Sequence, residues 1–134
     1  MKIGLFVISF SLLTVSFFSS AQAKFDPLTK CYDVTANEPR TAVQACLLDE
    51  LKLTEQQMNV IYDKSKSDLE DTDSVAAKSA VDALASSQDY FIQFRSAECQ
   101  RQSALLMGGS GAGDVLLACE IKLNQWRAKA LLNN

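Results

Sequence analysis

Histidine does not occur in the 134-residue chain. With it go the commonest general base and the usual activator of a catalytic hydroxyl or thiol, which leaves carboxylate, Lys, Tyr or hydroxyl chemistry with no recognisable motif. The chain does not read as an enzyme. No C-x-x-C pair is present either, so Cys31, Cys46, Cys99 and Cys119 do not suggest a metal site, and no cofactor is implied. Proline is limited to two residues and glycine to five, four of which lie in Gly108 to Gly113. That segment lacks the G-x-x-x-x-G-K-S/T pattern and a preceding strand, which argues against a phosphate loop and for an interhelical turn. Positive charge is also short, with 13 Lys and Arg against 16 Asp and Glu, an unfavourable balance for nucleic acid or an anionic membrane.

What is present begins with a leader. Lys2, an apolar run from Ile3 to Phe18, and Ser19, Ser20 and Ala21-Gln22-Ala23 follow the order of a secretory signal peptide, with cleavage expected after Ala23. The run falls short of the ~20 apolar residues of a membrane span, and no cysteine at the cleavage site offers a lipid anchor. The expected product, residues 24–134, is one periplasmic or secreted domain without a membrane anchor. All four cysteines remain in it, and an even count in a small exported chain reads as two disulfides.

Lys24 to Glu38, with Pro27 and Asn37 and no periodicity, reads as an extended lead-in tied down by Cys31. Val43, Leu47 and Leu51 recur at helical spacing and predict a short helix from about Pro39 to Leu51. Thr54 and Gln57 form a capping-box pattern flanked by Leu53 and Met58, so a new helix is expected at Thr54, with Met58, Ile61, Tyr62 and Leu69 inward. Asp71 to Ser74 is a polar turn in which Asp73 or Ser74 can cap the next helix. Val75 to Leu106 contains neither Gly nor Pro and predicts one long helix. Asp114 is the expected N-cap of a last helix through Cys119, Trp126 and Leu131.

The predicted fold class is therefore all-α, a small antiparallel helical bundle stapled by two disulfides. If the long helix ends near Leu106 and the last begins near Asp114, Cys99 lies about 10 Å before the turn and Cys119 about 8 Å after it. Antiparallel helices would bring the two level and leave Cys31 to Cys46, although sequence alone permits three connectivities.

The long helix holds the oddest pattern. Leu84, Gln88, Phe91, Arg95, Cys99 and Leu106 fall along one stripe, which sets an amide and a guanidinium among core positions. A buried charge needs partners. Glu98 is the in-helix candidate, with Glu55 or Asn124 across an interface, so Gln88, Arg95 and Glu98 are read as a structural polar network rather than a binding site. Tyr62 and Trp126 are expected in the core. For partner contact the candidates are Asp71 and Asp73 in the acidic turn and Ser110 in the glycine-rich one.

Together these residues resemble the lysozyme inhibitor LprI-like N-terminal domain family over nearly all of residues 24–134. The match runs through Cys31 and Cys46, Met58-Asn59 and Tyr62, then Gln88, Phe94, Arg95, Glu98 and Cys99, then Gly108, Gly109, Ser110, Cys119 and Arg127. Phe91 stands where the family has Trp, Met58 for Leu and Ser96 where Asp is common. The resemblance implies a binding protein that occludes the cleft of a basic lysozyme-like enzyme, with acidic steering of the encounter. The competing expectation is a structural or stress-related envelope module without an enzyme target. Oligomeric state is not readable.

Overall fold

The computed structural model describes residues 26–133, so the leader and its cleavage site at Ala23 lie outside the described residues. Four helices follow one another, α1 (Pro27–Val34), α2 (Thr41–Glu70), α3 (Ala77–Ala104) and α4 (Ala112–Leu132), and no strand is found among the described residues. The disulfides join Cys31 to Cys46 and Cys99 to Cys119, with Cα separations of 5.7 and 5.4 Å.

The lead-in is helical, contrary to the sequence expectation. Asp26 is its N-cap, accepting from the Thr29 backbone N–H at 3.2 Å and the Thr29 hydroxyl at 2.6 Å, and Pro27 occupies the first turn. Pro at that place loses no intrahelical hydrogen bond, so it starts this helix instead of breaking it. Lys122 of α4 pairs with the other Asp26 oxygen at 2.6 Å, and Lys30 pairs with Glu50, so α1 is held to both α4 and α2.

The two helices expected on either side of Thr54 are one. The Thr54 hydroxyl donates back to the Glu50 and Leu51 carbonyls, both at 3.0 Å, so it is spent inside a continuing turn and caps nothing. Leu51, Lys52 and Leu53 give the backbone no reason to stop. The last helix also starts earlier than Asp114. Gly111 is its N-cap without a side-chain bond, and buried Asp114 sits in the first turn, paired with Arg40 at 2.6 Å.

Cross-helix contacts fix the directions. Met58 meets Gln88 and Glu55 meets Arg95, so α2 and α3 are antiparallel. Arg95 meets Asn124 while Gln88 meets Arg127, so α3 and α4 are antiparallel as well. Arg40 to Asp114 and Thr54 to Asn124 keep a nearly constant offset, so α2 and α4 run parallel. α2 and α4 each touch all three other helices, whereas α1 and α3 do not meet.

Two apolar clusters result. Cys31, Val43, Leu47, Leu117, Ala118 and Ile121 form the one next to α1, and Met58, Phe91 and Ala128 form the other. Trp126 is 58% exposed and only leans on Phe91, with ring centroids 6.1 Å apart, so it rims the core it was expected to enter. Leu106, at the end of the stripe, is likewise exposed, because α3 ends before it.

Candidate functional site

Between the apolar clusters lies a polar seam built from three helices. Arg95 projects from α3, where its side chain is 12% exposed, and its Nη1 donates to Asn124 Oδ1 at 2.5 Å and pairs with Glu55 at 3.0 Å. Asn124, fully buried on α4, turns its Nδ2 to the Thr54 hydroxyl at 3.5 Å. Arg95 Nε is buried without a hydrogen-bond partner among the described residues. Half-buried Glu120 lies one turn from Asn124, and burial pushes its carboxyl above the ordinary range against the pull of Arg95.

Gln88 belongs to a second knot, about two turns along α3 from Arg95. Its Nε2 donates to Met58 Sδ at 3.7 Å and its Oε1 accepts from Arg127 Nε at 2.9 Å. Arg127 also donates to Ser87 Oγ at 2.7 Å and lies over the Phe91 ring at 5.6 Å, and burial draws its guanidinium below the ordinary value.

Glu98 enters neither knot, which corrects its expected place beside Arg95. Arg101 takes it through a two-pronged contact at 2.6 and 2.7 Å, and Gln102 donates to it at 2.9 Å. A fork matched to both carboxylate oxygens outcompetes a guanidinium turned toward the core. Arg101 first, then Gln102, hold the Glu98 carboxyl down at about 2.

Chemically, these groups are occupied with one another. No group of three or more His, Cys, Asp or Glu among the described residues is placed to hold a metal ion. What the seam can do is fix the register of α2, α3 and α4.

The exposed candidates stand at opposite ends. Asp71 and Asp73 are in the turn from α2 to α3, while Ser110 is in the turn from α3 to α4. The 28 residues of α3 separate the turns by about 42 Å, so the three residues form two surfaces, not one. At the Ser110 end, Met107 is 95% exposed and holds φ +48°, followed by Gly108 at φ +80°, with Leu105 and Leu106 exposed beside them. Arg40 braces this end by pairing with Asp114 and lying over the Tyr32 ring at 5.2 Å. Neither Arg40 nor Tyr32 stood out in the sequence, since a charge and an aromatic eight residues apart across a loop carry no periodicity.

A family model described as lysozyme inhibitor LprI matches residues 31–131. No curated protein and no solved structure matches the chain.

Proposed function

The chain belongs to the lysozyme inhibitor LprI family, and from that premise we propose that it is an exported protein of the bacterial envelope that binds a lysozyme-type peptidoglycan hydrolase and blocks its cleft. The match over residues 31–131 is the observation that carries this reading. Inhibition by occlusion asks for a rigid body with exposed ends and for no chemistry of its own. Three long helices locked by the polar seam and two disulfides fit that requirement. An acidic net charge favours a basic partner. The signal peptide at residues 1–23 and a periplasmic or secreted location belong to the same proposal.

A second reading is favoured by one observation. Several residues that carry the family pattern, Gln88, Arg95, Cys99, Cys119 and Arg127, are engaged inside the bundle. A family defined by its architecture also accommodates a structural or stress-related envelope module with no enzyme target.

Titrating the oxidised protein into lysozyme turnover on peptidoglycan, with binding measured in parallel by calorimetry, separates the readings. Saturable inhibition that tracks binding supports the inhibitor. Absence of both across several basic lysozymes leaves the structural module.

A further inference from the structure

α4 ends at Leu132, level with Val60 and Ile61 of α2, whereas α2 continues to Glu70, about 14 Å further, and α3 returns alongside from Ala77. Beyond that level two helices stand where three pack below. The uncovered side is a groove of about 490 Å³, mostly apolar, lined by Val60, Leu69, Leu84 and Leu132 among others and also by the paired Lys64 and Asp68. It runs along α2 as far as Leu69, and Asp71 and Asp73 follow within the next turn of chain.

The charge on this two-helix arm is lopsided. Residues 60–84 contain Asp63, Asp68, Glu70, Asp71, Asp73 and Asp82 against Lys64, Lys66 and Lys78. Every one of those lysines is engaged by a carboxylate four residues on, Lys64 with Asp68 at 2.7 Å, Lys66 with Glu70 at 3.8 Å and Lys78 with Asp82 at 2.9 Å. Asp63, Asp71 and Asp73 are left outside any ion pair among the described residues. Asp71 is moreover the C-cap of α2, whose last turn carries no basic residue, so its charge adds to the negative end of the helix dipole. That placement disfavours the helix and projects a negative potential beside an apolar groove.

We propose that this arm is the docking surface for the inhibited enzyme. The occupant is a basic protein surface that seats an apolar side chain between Val60, Leu69 and Leu84 while its lysines or arginines face Asp71 and Asp73. The groove supplies a desolvated anchor, and the unpaired carboxylates steer the encounter. The Ser110 end also offers exposed Leu105 and Met107, and Asp33 and Glu38 there stand outside any ion pair among the described residues, but neither acid borders the groove that supplies the anchor. This assignment rests on the inhibitor reading and selects one of its two possible contact ends.

The test uses the oxidised protein, a basic lysozyme, and three variants, Val60→Glu in the groove, D71K combined with D73K in the turn, and Leu105→Glu at the far end. Val60 and Leu105 are 68% and 67% exposed, so all three are expected to fold, which circular dichroism checks. Val60→Glu is expected to weaken inhibition about tenfold or more, and D71K/D73K to slow association about tenfold at low ionic strength and flatten its salt dependence. Leu105→Glu is expected to change neither. A wild type that inhibits while both arm variants inhibit equally well, or Leu105→Glu alone losing activity, overturns the arm and leaves the inhibitor reading standing. A wild type that neither binds nor inhibits overturns both. A dimer that forms with concentration and is abolished by Val60→Glu assigns the groove to a second copy of the chain, and also overturns the proposal.

Discussion

Arg95 and Asn124 meet at 2.5 Å in the middle of the bundle, a guanidinium from α3 against an amide from α4, with the apolar clusters on either side. The two residues are not equivalent. Glu55, the other partner of Arg95, is 41% exposed and can return to water, whereas the Arg95 side chain itself is almost enclosed.

That asymmetry predicts which substitution hurts more. Asn124→Leu leaves a buried positive charge with one partner fewer and is expected to cost about 3 kcal/mol. Arg95→Met removes the charge, keeps much of the volume and strands only a neutral amide, and is expected to cost less, about 1 kcal/mol. Urea unfolding of both variants checks the order. A larger loss for Arg95→Met would mean that the ion pair with Glu55 contributes more than the desolvated charge costs.

The disulfides close loops of 15 and 20 residues, and each is expected to contribute about 3 kcal/mol through the unfolded chain. Cys99→Ser with Cys119→Ser should therefore lower Tm by more than 10 °C, on the order of 4–8 °C per kcal/mol for a domain of this size. Differential scanning calorimetry reads that shift. Non-reducing peptide mapping of the wild type should return only the links Cys31 to Cys46 and Cys99 to Cys119.

How far the chain could be read beforehand followed how local each signal was. The long α3 was legible because no Gly or Pro interrupts it, and the Cys99 to Cys119 bridge followed from helix rise on either side of a glycine-rich turn. α1 is hidden from the sequence because Pro27 reads as a breaker unless Asp26 and Thr29 on either side of it are taken with it. The break at Thr54 was misplaced for a different reason. Its capping pattern is real as a string, but the hydroxyl serves the previous turn and Asn124 of another helix. Partner choice within the stripe turned on distance, since Glu98 is near Arg95 in sequence but nearer in space to Arg101. The groove beside Leu132 depends on where one helix stops relative to another, which no window along the chain contains.

Stability should fall in acid through two surface contacts. The Asp26 carboxyl is held at about 2 against an ordinary 3.8, first by the hydrogen bond from Lys122 and then by Thr29, and Glu98 is held at about 2 against 4.5 by Arg101. Carboxyls depressed in the folded state stabilise it above their unfolded values, so both contributions are complete above about pH 5 and are lost as pH falls toward 2. Lys122→Met should consequently be less stable than the wild type at pH 6, with the difference vanishing near pH 2. Urea midpoints across that range decide it.

Glu120 should behave in the opposite sense, because burial raises its pKa above the ordinary 4.5 and Glu55 adds to the rise while Arg95 opposes it. A raised carboxyl pKa favours the folded state while the group is protonated, below its unfolded value, and that advantage is lost as pH climbs through the folded one. Glu120→Gln is then expected to stabilise the protein at pH 7 and to make no difference below about pH 4. A neutral or destabilising effect at pH 7 would show that the attraction to Arg95 outweighs burial.

The left-handed backbone at Met107 costs stability that its exposed side chain does not return. An L residue there is disfavoured by about 1 kcal/mol relative to glycine, and at 95% exposure the thioether buries almost nothing in compensation. Met107→Gly should relieve that strain but give the unfolded chain more freedom, which leaves a gain of about 0.5 kcal/mol. Gly108→Ala faces the reverse situation. Its φ of +80° is unsuited to a Cβ although no atom lies within 4 Å to clash with one, so the expected loss of about 1 kcal/mol comes from the backbone alone. Paired denaturation curves check both signs. Because the arm carries the proposed contact, Met107→Gly should also leave inhibition unchanged, and a stabilised variant that no longer inhibits would move the contact to the Ser110 end.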